Sequence, residues 1–134
     1  MNHGSNGSRM RLTRNKLFVA ILALACFAAQ AQSVRMLVQS SPLAGFAHYS
    51  ANANFEDIKV GDPLTLIREP DNAFDVYAVR VDWHGIKLGY LPRKENHAVA
   101  AEMDRGGKVE ARVARLRHHP NPRERLLIEV FAVL

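Results

Sequence analysis

The sequence predicts a mainly β domain with one principal helix, arranged as a small, partly open β-barrel. Three observations carry that prediction. Short β-type runs recur between Gly, Pro and Asn turns from Val34 onward. One of them, Val76 to Trp83, alternates with period two and runs straight into a tight-turn pair, His84-Gly85. Helical spacing occurs in one stretch only, between Pro92 and Gly106.

In chain order, Val34 to Gln39 and Gly45 to Tyr49 read as two short strands separated by Ser40-Ser41-Pro42, and Ser50 to Asn54 reads as a loop. Pro63 to Arg68 is a strand entered through the turn Val60-Gly61-Asp62. In Val76 to Trp83, Tyr77, Val79, Val81 and Trp83 share the apolar face, opposite Ala78, Arg80 and Asp82. His84-Gly85 then closes a hairpin onto Ile86 to Leu91. Pro92 stands where a helix opens, Ala98, Val99, Ala101 and Met103 recur at helical spacing, and Gly106-Gly107 stops the pattern. Lys108 to His118 and Arg125 to Leu134 flank His119-Pro120-Asn121-Pro122 and predict a terminal hairpin. Six or seven strands in about 100 residues favour closure, because a barrel hides the edges that a flat sheet exposes.

The first 31 residues read differently. A basic stretch, Arg11 to Lys16, precedes the thirteen-residue apolar run Leu17 to Ala29 and the small-residue end Ala29-Gln30-Ala31. That order predicts a signal peptide over 1–31 cleaved after Ala31, with Met10 as an alternative start, and a mature domain over 32–134. A helix of thirteen residues spans roughly 20 Å, short of the ~30 Å hydrocarbon core. Export to the periplasm or beyond is the expectation. A signal anchor, or a lipid anchor on Cys26 within Ala23-Leu24-Ala25-Cys26, is the alternative, and either would tie the domain to the membrane through the leader alone.

Net charge of +5 invites a nucleic-acid reading, but four of the 18 cations lie in the leader, which holds no acid. The remaining 14 against 13 acids leave the mature domain at only +1. An apolar content of 48% excludes a disordered tail, and a single Cys excludes a disulfide framework or a cysteine-based zinc module.

Two motifs stand out in order: Arg68-Glu69-Pro70-Asp71-Asn72-Ala73-Phe74-Asp75, which ends a strand in a polar turn tipped by an aromatic, and Leu88-Gly89-Tyr90-Leu91-Pro92-Arg93, which leads into a predicted helix containing Glu95 and Asn96. In this order and spacing the chain, from about Pro42 to Leu134, closely resembles the HIRAN domain, found in fork-remodelling Swi/Snf-type DNA translocases and as stand-alone bacterial proteins. The resemblance implies an OB-like or SH3-like barrel and a non-catalytic module that grips the 3′-hydroxyl end of single-stranded DNA.

Under that resemblance Phe74 matches the tip aromatic and stacks a terminal base, or else plugs the core under the turn. Asp75 matches the acid that accepts a hydrogen bond from a terminal hydroxyl, or else caps the turn. Asn72 donates to a phosphate or base edge, or else tolerates a left-handed turn conformation. Gly45 to Tyr49 aligns with a strand carrying a basic residue and two aromatics; here Ala47 replaces the arginine, His48 replaces the first aromatic and Tyr49 persists. The missing guanidinium removes a bidentate phosphate contact. Tyr77 stands where the family often has Asn and reads as core. Arg93 and Lys94 open the predicted helix, where a phosphate meets cations and free backbone amides together.

Seven cations fall between Arg105 and Arg125, against Glu110 and Glu124. Within the strand Arg115 and Arg117 continue the face of Val109, Ala111 and Val113, and with Arg112 they form a candidate basic patch for a phosphate backbone or an acidic partner. His118 and His119, neighbours on a strand, point apart and predict no metal site. The chain shows no Gly-rich phosphate loop, nucleophile elbow or paired-carboxylate spacing, so neither a cofactor nor an enzymatic activity is expected. Single-stranded nucleic acid is the expected partner; an envelope protein, bound by a barrel without the DNA grip, is the alternative.

Overall fold

The computed structural model describes residues 33–134. The expected leader, with Cys26 and the candidate start Met10, lies outside those residues. The elements run β1 (Arg35–Pro42), α1 (Ala51–Asn54), β2 (Pro63–Arg68), β3 (Val79–Trp83), β4 (Ile86–Tyr90), α2 (His97–Asp104), β5 (Lys108–Leu116), a 3₁₀ turn (Pro122–Glu124) and β6 (Leu126–Val133). The strands form one sheet in the order β1-β6-β5-β2-β3-β4, with every neighbouring pair antiparallel. Bulges at Leu37/Gln39, Val81/Asp82 and Val113/Arg115 curl the sheet. Its two ends then meet through a single bridge, Ala44 to Tyr90, so the barrel is partly open.

Alternation explains the best-formed strands. Leu126, Ile128, Val130 and Ala132 of β6 are buried, while the residues between them are half-exposed. β3 buries Val79 and Val81 against Leu88 of β4, and with Val113 they build the barrel core. The β3–β4 turn holds His84 at φ 48 and Gly85 at φ 77, the left-handed pair that a two-residue hairpin with the strands' own twist requires. α2 packs on β5 and buries Val99 and Ala100.

Several boundaries differ from the sequence reading. β1 runs on through Ser40-Ser41-Pro42, because an edge strand tolerates a proline that lacks an N–H. Gly45 to Tyr49 is a turn, not a strand: Gly45 takes φ 80 and Phe46 dives into the core. Ser50 to Asn54 contains α1 rather than a plain loop. β3 starts at Val79, so Tyr77 sits in the preceding turn, exposed, with its ring edge-on to His97 at 4.4 Å, and is not core. Pro92 opens a turn closed by the Glu95 N–H to the Pro92 carbonyl (3.0 Å), and the helix begins only at His97. β5 ends at Leu116, which leaves His118 and His119 in the connection to β6.

Candidate nucleic-acid interface

The turn between β2 and β3 is tied up by its own residues. The Glu69 N–H donates to the Ala78 carbonyl (3.0 Å), the Asn72 N–H to the Glu69 carbonyl (3.2 Å) and the Ala78 N–H to the Asp75 carbonyl (3.1 Å). Asn72 Oδ1 accepts from the Phe74 and Asp75 N–H groups at 2.9 and 3.1 Å, and Asp75 Oδ1 accepts from the Tyr77 N–H at 2.9 Å. Arg68 fastens the far side, donating to the carbonyls of Val76 (2.7 Å) and Ala78 (3.1 Å) and to Asp104 (2.9 Å). With most of its backbone N–H groups bonded in this way, the turn is braced from within. At its apex Phe74 stands 86% exposed.

The opposite wall depends on two glycines. Ala44 and Tyr90 exchange backbone hydrogen bonds of 2.9 and 3.0 Å, an approach so close that a Cβ on Gly89 would lie 2.2 Å from the Ala44 oxygen. Gly45 then turns the chain, and the Tyr49 ring lies where a Gly45 Cβ would meet it at 2.8 Å. Tyr49 packs edge-on against Tyr90, ring centroids 5.8 Å apart, and Lys87 Nζ sits 4.2 Å from the Tyr49 centroid and 4.6 Å from that of Tyr90.

Between the two walls lies a groove of about 460 Å³ lined by Tyr49, Asn72, Phe74, Asp75, Lys87, Tyr90 and Arg93, among others. A smaller recess of about 360 Å³ continues past Phe74 toward Tyr77. Glu69 joins the walls from beneath: one carboxylate oxygen accepts from Tyr90 Oη (2.8 Å) and Asn72 Nδ2 (3.0 Å), and Arg80 approaches the other at 3.5 Å. Burial pushes the Glu69 pKa up, but the two hydrogen bonds and the charges of Lys87 and Arg80 outweigh it and hold the carboxyl below its ordinary value. The Tyr90 hydroxyl beside Lys87 raises the lysine's pKa against the opposing effect of burial. The groove thus offers aromatic faces, one carboxylate and two cations, the chemistry needed to stack a base, accept from a hydroxyl and neutralise phosphate.

A family model described as the HIRAN domain matches residues 36–134. The chain belongs to the HIRAN domain family. A crystal structure of a protein from Lactobacillus plantarum superposes with a TM-score of 0.65 at 23% identity, covering 76% of this chain and 98% of that one. The crystal structure of the HIRAN domain of human HLTF superposes with a TM-score of 0.54 at 19% identity, covering 74% of this chain and 78% of that one. No curated protein matches the chain. At these identities the two structures speak for the fold, and it is the expected mainly β, partly open barrel. HIRAN domains are DNA-binding modules, not catalysts in themselves.

In this HIRAN domain the structure brings Tyr49, Asn72, Phe74, Asp75 and Arg93 together in one groove. His48 and Lys94 are exposed but lie outside its lining. The core-plug alternative for Phe74 fails on its exposure. Asn72 spends both ends of its amide inside the turn, which makes it a scaffold residue. Arg93 and Lys94 sit in the turn after Pro92 and do not share a helix terminus with free amides, because Asn96 takes the N-cap position. Lys87, Tyr90, Glu69 and Asn96 were not singled out from the sequence, although Glu69 and Tyr90 lie inside the two motifs and Asn96 in the segment that follows them.

The basic patch needs a correction. The bulge at Val113/Arg115 flips the alternation of β5, so Leu116, not Arg115 or Arg117, continues the inward face of Val113. Arg112, Arg115 and Arg117 are exposed. Arg112 pairs with Glu129 at 2.8 Å and Arg117 pairs with Glu124, so two of the three are already neutralised.

Proposed function

We propose that this HIRAN domain binds single-stranded nucleic acid in the groove between the Phe74 turn and the Tyr49–Tyr90 wall, receiving a strand by its 3′-hydroxyl end. The carrying observation is Phe74, an 86% exposed aromatic held by a turn braced by Asn72 and Asp75 at the lip of a groove that also contains Asp75 and Arg93. An exposed ring at the lip of such a groove stands where a base can stack on it. Each Asp75 oxygen accepts one hydrogen bond, which leaves acceptor capacity for a hydroxyl, while its charge repels a terminal phosphate.

Fluorescence anisotropy with single-stranded DNA carrying a 3′-hydroxyl or a 3′-phosphate tests the reading. The expected result is tighter binding of the hydroxyl end and loss of that preference in Asp75→Asn. No binding of either strand at low salt sinks the proposal and leaves an envelope interaction domain as the better reading.

We infer from the leader pattern alone that the domain works outside the cytoplasm. N-terminal sequencing of the protein recovered from cell fractions should give a start at Gln32 in the periplasmic or secreted fraction. An intact leader in the cytoplasm overturns export.

A further inference from the structure

We propose that Lys87 is the phosphate-binding cation of this groove, held over two tyrosine rings so that a strand whose base stacks on Phe74 brings an internal phosphate to its ammonium. The inference rests on the nucleic-acid reading above and adds the residue that reads the backbone.

Lys87 projects from β4 into the groove, half-buried, between Tyr49 and Tyr90. Among the described residues no carboxylate lies within ion-pairing distance of its Nζ, whereas Arg68, Arg80, Arg112 and Arg117 are all paired. Glu69 acts on this ammonium only through space and forms no direct ion pair with it, so the ammonium protons are left to an incoming anion. The surrounding groups suit a polyanion better than a lone carboxylate, since the same groove offers flat aromatic faces at Tyr49 and Phe74 and a second cation at Arg93. The turn that carries Tyr49 brings no lysine or arginine, its other exposed residues being Ala47 and His48, and His48 lies outside the groove lining, so Lys87 is the cation on that wall. The Tyr90 hydroxyl favours the protonated lysine over its neutral amine.

A purely structural role is the competing explanation: the lysine would only prop Tyr49 against Tyr90. The slope of log affinity against log salt separates the two, because a lost phosphate contact changes the slope and a lost prop does not. Binding of a 3′-hydroxyl single strand is measured between about 50 and 200 mM salt for the wild type, Lys87→Gln, Lys87→Arg and the distant control Lys59→Gln. The expected result is a slope shallower by about 0.7 for Lys87→Gln, with Lys87→Arg and Lys59→Gln close to the wild type.

A second measurement works from the DNA side and does not depend on how well one variant folds. Replacing single phosphates in turn by neutral methylphosphonate should reveal one linkage whose neutralisation weakens the wild type but not Lys87→Gln. A Lys87→Gln slope equal to the wild type, or no such linkage, overturns the proposal and leaves the groove reading intact. A wild type that binds no single strand at 50 mM salt overturns both.

Discussion

Asn96 Nδ2 donates to Asp75 Oδ2 at 2.7 Å, fastening the start of α2 to the turn that carries Phe74. Asn96 is 1% exposed and occupies the N-cap position, yet it makes no capping hydrogen bond, its amide being turned to the Asp75 carboxylate instead. Helix stability is thereby given up to orient an acid at the groove. Asn96→Ala should lower unfolding free energy by about 1–3 kcal/mol, the range for a lost buried hydrogen bond that leaves a partner unsatisfied. Urea denaturation followed by the fluorescence of the single tryptophan, Trp83, measures it.

Phe74 separates stability from binding. Because the ring is exposed and touches no core, Phe74→Ala should change stability by less than about 0.5 kcal/mol. Loss of a stacking platform should cost about 1–3 kcal/mol in affinity for a single strand, at least fivefold. Parallel denaturation and anisotropy titrations check both, and a Phe74→Tyr variant should bind like the wild type.

Gly89 sets how closely the two ends of the sheet approach. Gly89→Ala puts a methyl group 2.2 Å from the Ala44 oxygen, and since that neighbour is backbone the bridge itself must open. Destabilisation of about 1–3 kcal/mol is expected, as for other overpacked sites. The Tyr49 wall should shift with it, which weakens binding. Gly61→Ala is the control: nothing lies within 4 Å of its Cβ, so its cost is confined to the backbone at φ 90.

The Glu69 carboxylate supplies a pH dependence. Its pKa in the folded protein lies below the ordinary 4.5, so its contribution to stability is complete above that value and is lost as pH falls through the lower folded one. The melting temperature of Glu69→Gln should therefore fall less steeply than that of the wild type below pH 4.5, with the two curves running parallel above it. Thermal melts at closely spaced acidic pH values check the difference, which isolates Glu69 from other carboxylates that are common to both proteins.

Which parts of the molecule could be read in advance follows from how local their causes are. β6 and the β3–β4 hairpin were legible because alternation and the His84-Gly85 turn act over neighbouring residues. Gly45 to Tyr49 misled because a short aromatic run looks like a strand, whereas Gly45 at φ 80 and the burial of Phe46 make it a turn. The bulge after Val113 carries no residue signature, so the faces of Arg115 and Arg117 were misassigned. The same contrast divides the site. The Phe74 turn is held by contiguous residues and shows in the sequence, while Lys87 and Tyr90 arrive from β4 and Asn96 from the start of α2, a convergence that exists only after the sheet has curled.

From residue 32 onward 14 cations face 13 acids, and Arg112 and Arg117 pair with Glu129 and Glu124, so this part of the chain carries almost no net charge. If a strand binds as proposed, it should reach the groove with little long-range attraction, at rates of about 10⁵–10⁷ M⁻¹ s⁻¹. Affinity is then a matter of residence time, decided at Phe74, Asp75 and Lys87 after contact. On the proposed reading, such a binder would pass over the interior of a polyanion and dwell only where a terminus fits.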